Sequence, residues 1–231
     1  MSKILSSLFV ALILSACGPN EKRASVSDRS QDLFSKEQKN HKSTSDLTVE
    51  RSEKSSLLAS LNNGGYVIYF RHATTEKDYA DQTDPLMSLE DCKSQRKLSI
   101  QGISESHKIG IAFASKKIPV DQIIVSEYCR SWKTANFAFG EWTQKDSRLN
   151  FLPYENYTED HVALMKKNVM PLLTRPPRAG TNTIIIGHDD IFEAATGIYP
   201  EPQGIAYILK PDGKNKIKII TSMLPSEWAT L

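Results

Sequence analysis

Short apolar runs alternate with longer amphipathic stretches from about residue 47 to the C-terminus. The apolar runs are rich in β-branched and aromatic side chains, as buried strands are, and they occupy residues 66–70, 120–125 and 183–186. The amphipathic stretches carry apolar side chains at helical spacing, and they occupy residues 99–116, 130–139 and 159–173. Strands that alternate with helices in this way predict a layered α/β fold.

The C-terminal part of the pattern predicts that the sheet is mixed. Residues 204–210 and 216–223 flank the turn sequence Pro211-Asp212-Gly213-Lys214, which is typical of an antiparallel hairpin. A further helix is predicted for residues 47–61, because the two glycines that follow it end a helix and free the chain to enter the first strand. We therefore expect a three-layer sandwich in which a mostly parallel mixed sheet is flanked by helices.

The first residues predict an export signal. The apolar stretch at residues 4–14 is shorter than the ~20 residues that a helical membrane span takes, so residues 1–16 are interpreted as a cleaved signal peptide. Its Leu-Ser-Ala-Cys ending resembles a bacterial lipoprotein box, which would make Cys17 the lipidated N-terminus of the exported protein. The alternative is an ordinary signal peptide that is cut near Ala16.

A tether is predicted between this signal and the folded domain. Residues 17–46 are almost entirely polar and lack apolar periodicity, so they cannot bury enough surface to fold alone. The predicted organisation is therefore a signal peptide at 1–16, a disordered tether at 17–46 and one domain at 47–231. The lipid would hold this domain on a bacterial membrane, facing the periplasm or the cell exterior.

Charge and motif content exclude several classes of function. The formal net charge is +2 and the basic residues are dispersed, so no nucleic-acid partner is expected. His-Glu-x-x-His and Cys-x-x-Cys patterns are absent from the sequence, so no metal site is predicted. Among the cysteines, only Cys17 has an arginine at the Cys-x5-Arg spacing of cysteine-dependent phosphatases, and we attribute that match to chance.

Three of the predicted strands end in residues that suit phosphate chemistry. Arg71 and His72 follow the first strand, Arg130 follows the second in a Ser-x-x-x-Arg segment, and His188 follows the third after a glycine. Open α/β sheets bind ligands beyond the carboxyl ends of their strands, so these side chains would project into one crevice. Their order and context resemble the histidine phosphatase superfamily, also called the phosphoglycerate mutase-like family, from about residue 64 to the C-terminus.

Two further matches and one departure accompany this resemblance. Thr75 lies three residues after the first histidine and is a candidate for substrate binding, and Leu98-Ser99-x-x-Gly102 opens the next helix. Ala73 stands where most members carry glycine. Alanine is the smallest replacement and costs little unless the backbone there needs a positive φ.

The resemblance implies a metal-independent and cofactor-independent phosphoryl transfer. It assigns His72 as the nucleophile that forms a phosphohistidine, which divides a difficult hydrolysis into two easier steps. Arg71 and Arg130 would bind the phosphoryl oxygens with bidentate guanidinium groups. His188 would donate a hydrogen bond to the same oxygens as negative charge develops on them.

The general acid that protonates the leaving group has two candidates. In the acid-phosphatase branch of the family it is the aspartate after the second histidine, which corresponds to Asp189, our first choice. In mutase-type relatives it is a glutamate after Leu-Asn, and here Phe151 stands in that place, so Glu155 is the second choice. Asp190 is expected to be a solvated neighbour. Any of these carboxylates could instead be a helix N-terminal charge.

Arg96 and two cysteines lie close to the expected site along the chain. Arg96 is a candidate for binding the substrate, although a solvated loop cation is an equal alternative. Export to an oxidising compartment would allow Cys92 and Cys129 to form a disulfide, with two separately buried thiols as the alternative.

The function expected from these features is hydrolysis of a phosphomonoester, with a small phosphorylated molecule as substrate. A binding module of the envelope that keeps the phosphate pocket but lacks turnover is one alternative. A phosphotransferase or mutase is another.

Overall fold

A central sheet with helices on both faces is the core of the computed structural model, which describes residues 44–77, 88–154 and 156–231. The strands are β1 (Val67–Arg71), β2 (Val120–Val125), β3 (Gln144–Lys145), β4 (Asn182–Gly187), β5 (Ala206–Pro211) and β6 (Ile217–Met223). The described helices are α1 (Thr44–Asn63), α2 (Ile100–Ser115), α3 (Cys129–Phe139), α4 (Glu159–Leu173) and α5 (Asp189–Thr196), with short 3₁₀ turns at Ser147–Leu149 and Trp228–Thr230. Residues 48–231 form one compact unit.

The sheet is mixed, as the sequence predicts. Its strand order is β3-β2-β4-β1-β5-β6; the first four strands are mutually parallel, and β5 is antiparallel both to β1 and to β6, with which it forms the C-terminal hairpin. β4 therefore lies between β1 and β2, with Arg71 opposite Gly187 and Ile186 opposite Val125. This register brings the carboxyl ends of three strands to one edge.

Side chains that alternate along β1 build the two faces of the sandwich. Ile68 and Phe70 pack with Phe113 of α2 on one face of the sheet. Tyr69 points to the other face, where its ring lies 4.8 Å from that of Phe192 in α5. Since β1 is buried along its whole length, its sequence is a continuous apolar run rather than an alternating one. The predicted three-layer α/β fold is confirmed.

The start of α2 is fastened directly to the loop that follows β1. Ser99 caps the helix by accepting a hydrogen bond from the Gly102 amide at 3.0 Å, and the Ser99 amide donates to the Thr74 carbonyl at 2.9 Å. A side chain at Gly102 would collide with the Thr74 backbone. Glycine is therefore needed here for a close approach of two backbones.

Most predicted elements have the expected bounds to within two residues, with two larger differences. α1 begins at Thr44 rather than at residue 47, and the short edge strand β3 was not predicted because its two residues are polar and exposed. The expected signal peptide, Cys17 and nearly all of the expected tether lie outside the described residues. Within the part of the chain that the structure describes, no helix has the length and hydropathy of a membrane span.

Candidate active site

The candidate site lies where β1, β4 and β2 end side by side. His72 follows β1, and its amide donates to the Gly187 carbonyl at 3.0 Å. His188 follows β4, and the Tyr69 hydroxyl holds its carbonyl at 2.6 Å. Ser126 follows β2, and its amide donates to Ile186 at 3.0 Å. The hydrogen-bond pattern between these adjacent strands thus brings both histidines together, with ring centroids 5.5 Å apart.

His72 is held as a neutral imidazole with its lone pair on Nε2. Its Nδ1 lies 2.9 Å from the Ala73 carbonyl, which can only accept, so Nδ1 carries the proton. Its Nε2 lies 3.2 Å from the guanidinium of Arg96, which can only donate. Burial lowers the pKa of His72 well below its ordinary value, and the positive charges of Arg130, Arg96 and Arg71 lower it further. These conditions suit a nitrogen nucleophile.

His188 and Arg130 form the opposite side of the pocket. A terminal nitrogen of the Arg130 guanidinium lies 3.1 Å from His188 Nδ1, and the Ser126 hydroxyl lies 2.9 Å from Nε2. Burial and the charge of Arg130 lower the pKa of His188 well below its ordinary value. Both histidines of the site are therefore neutral.

Aromatic rings enclose this pair of residues. Tyr128 and Phe151 stack with ring centroids 4.5 Å apart. Each also makes an edge-to-face contact with the His188 ring, with centroid distances of 5.1 Å for Tyr128 and 5.0 Å for Phe151. The Arg130 guanidinium lies over both rings at 5.1 and 5.3 Å. Phe151, which stands where the family resemblance places a possible acid, is thus part of the wall that holds Arg130.

The Arg71 guanidinium is paired with carboxylates instead of being available to bind a substrate. Its guanidinium lies 2.7 Å from Asp189 and 2.6 Å from Glu201, and it also donates to the Pro200 carbonyl at 3.1 Å. Arg71 is nearly fully buried and Asp189 is largely so, and their pair is therefore screened little by water, whereas Glu201 is exposed. The predicted bidentate grip of Arg71 on a phosphoryl group would require one of these carboxylates to release it.

Asp189 is held by two neighbours in the site. Besides the ion pair with Arg71, its carboxylate accepts a hydrogen bond from the Tyr199 hydroxyl at 2.8 Å. The role of Asp189 as the general acid stays a prediction, and Glu155, the second choice, lies outside the described residues.

The expectation that Asp190 is merely solvated is wrong. Its carboxylate is partly buried and accepts a hydrogen bond from the Tyr157 hydroxyl at 3.2 Å. Burial and the neighbouring charge of Asp189 raise the pKa of Asp190 to about 6. A group with this pKa changes its protonation state close to neutral pH.

Arg96 reaches the site from a loop that a disulfide fastens to α3. Cys92 and Cys129 are bonded, which confirms the predicted pairing. Gln95 strengthens the junction, because its Oε1 accepts a hydrogen bond from the Cys129 amide at 2.8 Å. The junction ties Arg96 to the helix that begins beside Arg130.

Thr75 contributes to the loop after β1 rather than to the immediate surroundings of His72. Its amide donates to Gln203 Oε1 at 2.8 Å and its hydroxyl donates to the Lys77 carbonyl at 2.6 Å. Its assignment to substrate binding stays a prediction. Among the described residues, no cluster of three or more His, Cys, Asp or Glu side chains could hold a metal ion.

Several residues of the site were missed in the sequence. Glu201 and Tyr199 come from the segment after α5, Tyr157 precedes α4, and Asn150 follows a 3₁₀ turn. None of them lies in a recognisable motif. The sequence signal for Asn150 is its place in the Leu149-Asn150 segment, after which the family resemblance leads us to expect an acid.

Comparisons with known proteins find similarity only among solved structures. No family model and no curated protein matches the sequence. The protein histidine phosphatase SixA complexed with tungstate is 15% identical with a TM-score of 0.49, covering 70% of this chain and 98% of that one. YhfR of Bacillus stearothermophilus is 15% identical with a TM-score of 0.43, covering 68% of this chain and 95% of that one.

A third solved structure is described as an alpha-ribazole-5′-P phosphatase from Escherichia coli. It is 12% identical with a TM-score of 0.48, and the match covers 70% of this chain and 98% of that one. All three matches have identities under 25% and TM-scores under 0.5, so neither a family nor an activity of this chain follows from them.

Proposed function

We propose that this chain is a histidine phosphatase that hydrolyses phosphomonoesters through a phosphohistidine at Nε2 of His72. The observation that carries the proposal is the state of that imidazole. Its tautomer is fixed by the Ala73 carbonyl, its lone pair lies on the side of Arg96, and burial together with three guanidinium groups keeps it neutral. A buried histidine with only a structural role also needs a hydrogen-bond partner, but it does not need three cations around its ring.

The reaction takes place in two displacements at phosphorus. The Nε2 lone pair forms a bond to phosphorus as the bond from phosphorus to the ester oxygen breaks, and the leaving oxygen takes a proton from the general acid, for which Asp189 is the first candidate and Glu155 the second. Water then attacks the phosphohistidine and gives a proton back to that group, the N–P bond breaks, and inorganic phosphate leaves with the imidazole again neutral. Arg96 must move from His72 Nε2 to a phosphoryl oxygen when substrate enters, and Arg130 supplies the second cation.

The experiment is hydrolysis of p-nitrophenyl phosphate by the full chain between pH 5 and 8, with EDTA present. We expect turnover, and we expect His72→Ala to lower kcat by about 10⁴-fold or more, as the loss of a nucleophile does in other covalent mechanisms. The matched control is His107→Ala, which removes an exposed histidine of α2 and should retain full activity. Alkaline quenching during turnover should trap a phosphate on the wild-type chain, and acid should then release it, as expected for an N–P bond.

Two results would reject this proposal. Equal activity of His72→Ala and wild type would show that another group attacks phosphorus. Tight binding of tungstate by a folded chain that hydrolyses no ester would support the alternative, a binding module of the envelope. The phosphotransferase alternative predicts that added alcohols accept the phosphoryl group in place of water.

We further propose that a lipid on Cys17 anchors the protein to a bacterial membrane. The support is the apolar stretch at residues 4–14 followed by the Leu-Ser-Ala-Cys sequence. Labelled fatty acid should enter the wild-type chain in a bacterial host, and Cys17→Ser should remove the label. Labelling that persists in Cys17→Ser would exclude this anchor.

A further inference from the structure

A continuous series of hydrogen bonds runs from Glu127 to the second histidine of the site. Asn150 Nδ2 donates to Glu127 Oε2 at 2.7 Å, and Asn150 Oδ1 lies 2.7 Å from the Ser126 hydroxyl. The same hydroxyl lies 2.9 Å from His188 Nε2. His188 and Ser126 are fully buried, so each of these polar atoms depends on its partner within the protein.

The positions of the protons in this series follow from groups that have only one possible role. The Glu127 amide donates to Asn150 Oδ1 at 3.1 Å, so Oδ1 is an acceptor and the amide group of Asn150 cannot be reversed. Ser126 therefore gives its single hydrogen to Asn150. Its oxygen is left to accept, and the proton of His188 must lie on Nε2.

The contact at Nδ1, on the other side of the His188 ring, independently indicates the same tautomer. A guanidinium has no acceptor, so the Arg130 nitrogen at 3.1 Å donates to Nδ1, which carries the lone pair. The contact expected from the sequence, in which His188 donates a hydrogen bond to the phosphoryl group, would need a proton on this nitrogen or a different orientation of the ring.

We propose that Glu127, Asn150 and Ser126 are positioning residues that hold His188 as a hydrogen-bond acceptor for Arg130. In this arrangement His188 directs the guanidinium toward the phosphoryl group instead of donating to that group itself. Its catalytic consequence rests on the proposed phosphatase function, whereas the tautomer is a property of the folded chain. Without Ser126 the Nε2 proton would lose its buried acceptor. A shift of that proton to Nδ1 would make the Nδ1–H group and the Arg130 guanidinium face each other as two hydrogen-bond donors.

The first test measures the tautomer in the full wild-type chain. Nitrogen NMR of the ¹⁵N-labelled protein at pH 7 should show a protonated Nε2 and an unprotonated Nδ1 for His188, identified by the signals that His188→Gln removes. A proton on Nδ1 would overturn the proposal. This measurement needs no turnover, so it separates failure of the inference from failure of the proposed function.

The second test compares two serines that approach the same nitrogen. Ser131 Oγ lies 3.5 Å from His188 Nε2 but has no hydrogen bond to Asn150 in the described structure, so Ser131→Ala is the matched control for Ser126→Ala. We expect Ser126→Ala to lower kcat/KM by about 10- to 100-fold, the range seen when the hydrogen-bond partners of metal-binding histidines are removed. Ser131→Ala should change it by less than about threefold, the spread of context effects on a weak contact.

The His188 tautomer in each variant, measured by nitrogen NMR, shows whether a loss of activity comes from a displaced proton. Ser126→Ala should move the His188 proton or make the two tautomers exchange, and Ser126→Thr, which keeps the hydroxyl, should restore the wild-type spectrum and part of the activity. Binding of inorganic phosphate, measured by calorimetry, replaces turnover if no ester is hydrolysed. Equal losses of activity in Ser126→Ala and Ser131→Ala would reject a positioning role and support simple packing. A loss of activity with an unchanged His188 tautomer would do the same.

Discussion

Lowering the pH from 5.5 to 4.5 should destabilise the folded protein by about 1.4 kcal/mol. The reason is that two buried histidines stay unprotonated in the folded chain, whereas they bind protons in the unfolded chain. Burial and the pocket arginines lower the pKa of His72 and His188 well below the ordinary value of 6.5. In this pH range the unfolded chain therefore binds two more protons on these histidines than the folded chain does. Their contribution to stability is fully present above pH 6.5 and is lost as the pH falls.

Asp190 acts in the opposite direction. Its pKa is about 6 in the folded protein against an ordinary value of 3.8, so the folded chain binds about one proton more at this carboxyl. The unfolded chain thus gains a net excess of about one proton. One proton corresponds to about 1.4 kcal/mol for each pH unit.

Urea unfolding of the full chain at pH 4.5, 5.0 and 5.5, with the disulfide intact, measures this slope. Asp190→Asn removes the opposing group and should steepen the slope to about 2.7 kcal/mol per pH unit, whereas His188→Gln should bring it close to zero. Asp160→Asn, at an exposed position in the first turn of α4, should leave it unchanged. A wild-type stability that rises with acid, or an unchanged slope in Asp190→Asn, would refute the reasoning.

Three further substitutions test individual contacts. Asp189→Asn should slow hydrolysis of aryl and alkyl phosphates by the same factor if this residue orients its arginine partner; a greater loss on alkyl phosphates, whose leaving groups need a proton, would show that it is the acid. Cys92→Ser should lower the free energy of unfolding by about 3 to 4 kcal/mol, and it should raise KM because Arg96 loses its fastening. Gly102→Ala should destabilise by about 1 to 3 kcal/mol, measured by urea unfolding, because its methyl group meets the Thr74 backbone.

The sequence predicted the parts of the site that follow directly from strand ends. His72, Arg130 and His188 lie next to strands with clear apolar patterns, and the register of three adjacent strands brings such positions together. The carboxylate partner Glu201 was not predictable in this way. It lies 130 residues from Arg71 in the chain, and its contact depends on the path of the loop after α5.

The same distinction applies to the protons of the site. A sequence shows that a histidine is present, but its tautomer depends on which donors and acceptors surround the ring. Asn150 reaches Ser126 across 24 residues, after an edge strand of two polar residues that no periodic pattern indicates. The orienting contacts of His188 therefore became visible only in the folded chain.

The position of β4 between β1 and β2 also determines when the site can exist during folding. β1 and β2 do not pair with each other in the native sheet, and the strand that joins them begins at Asn182, after both have been synthesised. A growing chain thus already contains His72, the proposed nucleophile, and Arg130, but it lacks the strand that lies between them in the sheet. Because the central pairings join residues 116 apart, such as Val67 and Thr183, folding should be slow compared with that of a helical protein of similar size. Catalytic competence should appear in one step, with the insertion of β4, and a chain that stops before this strand should lack the pocket entirely.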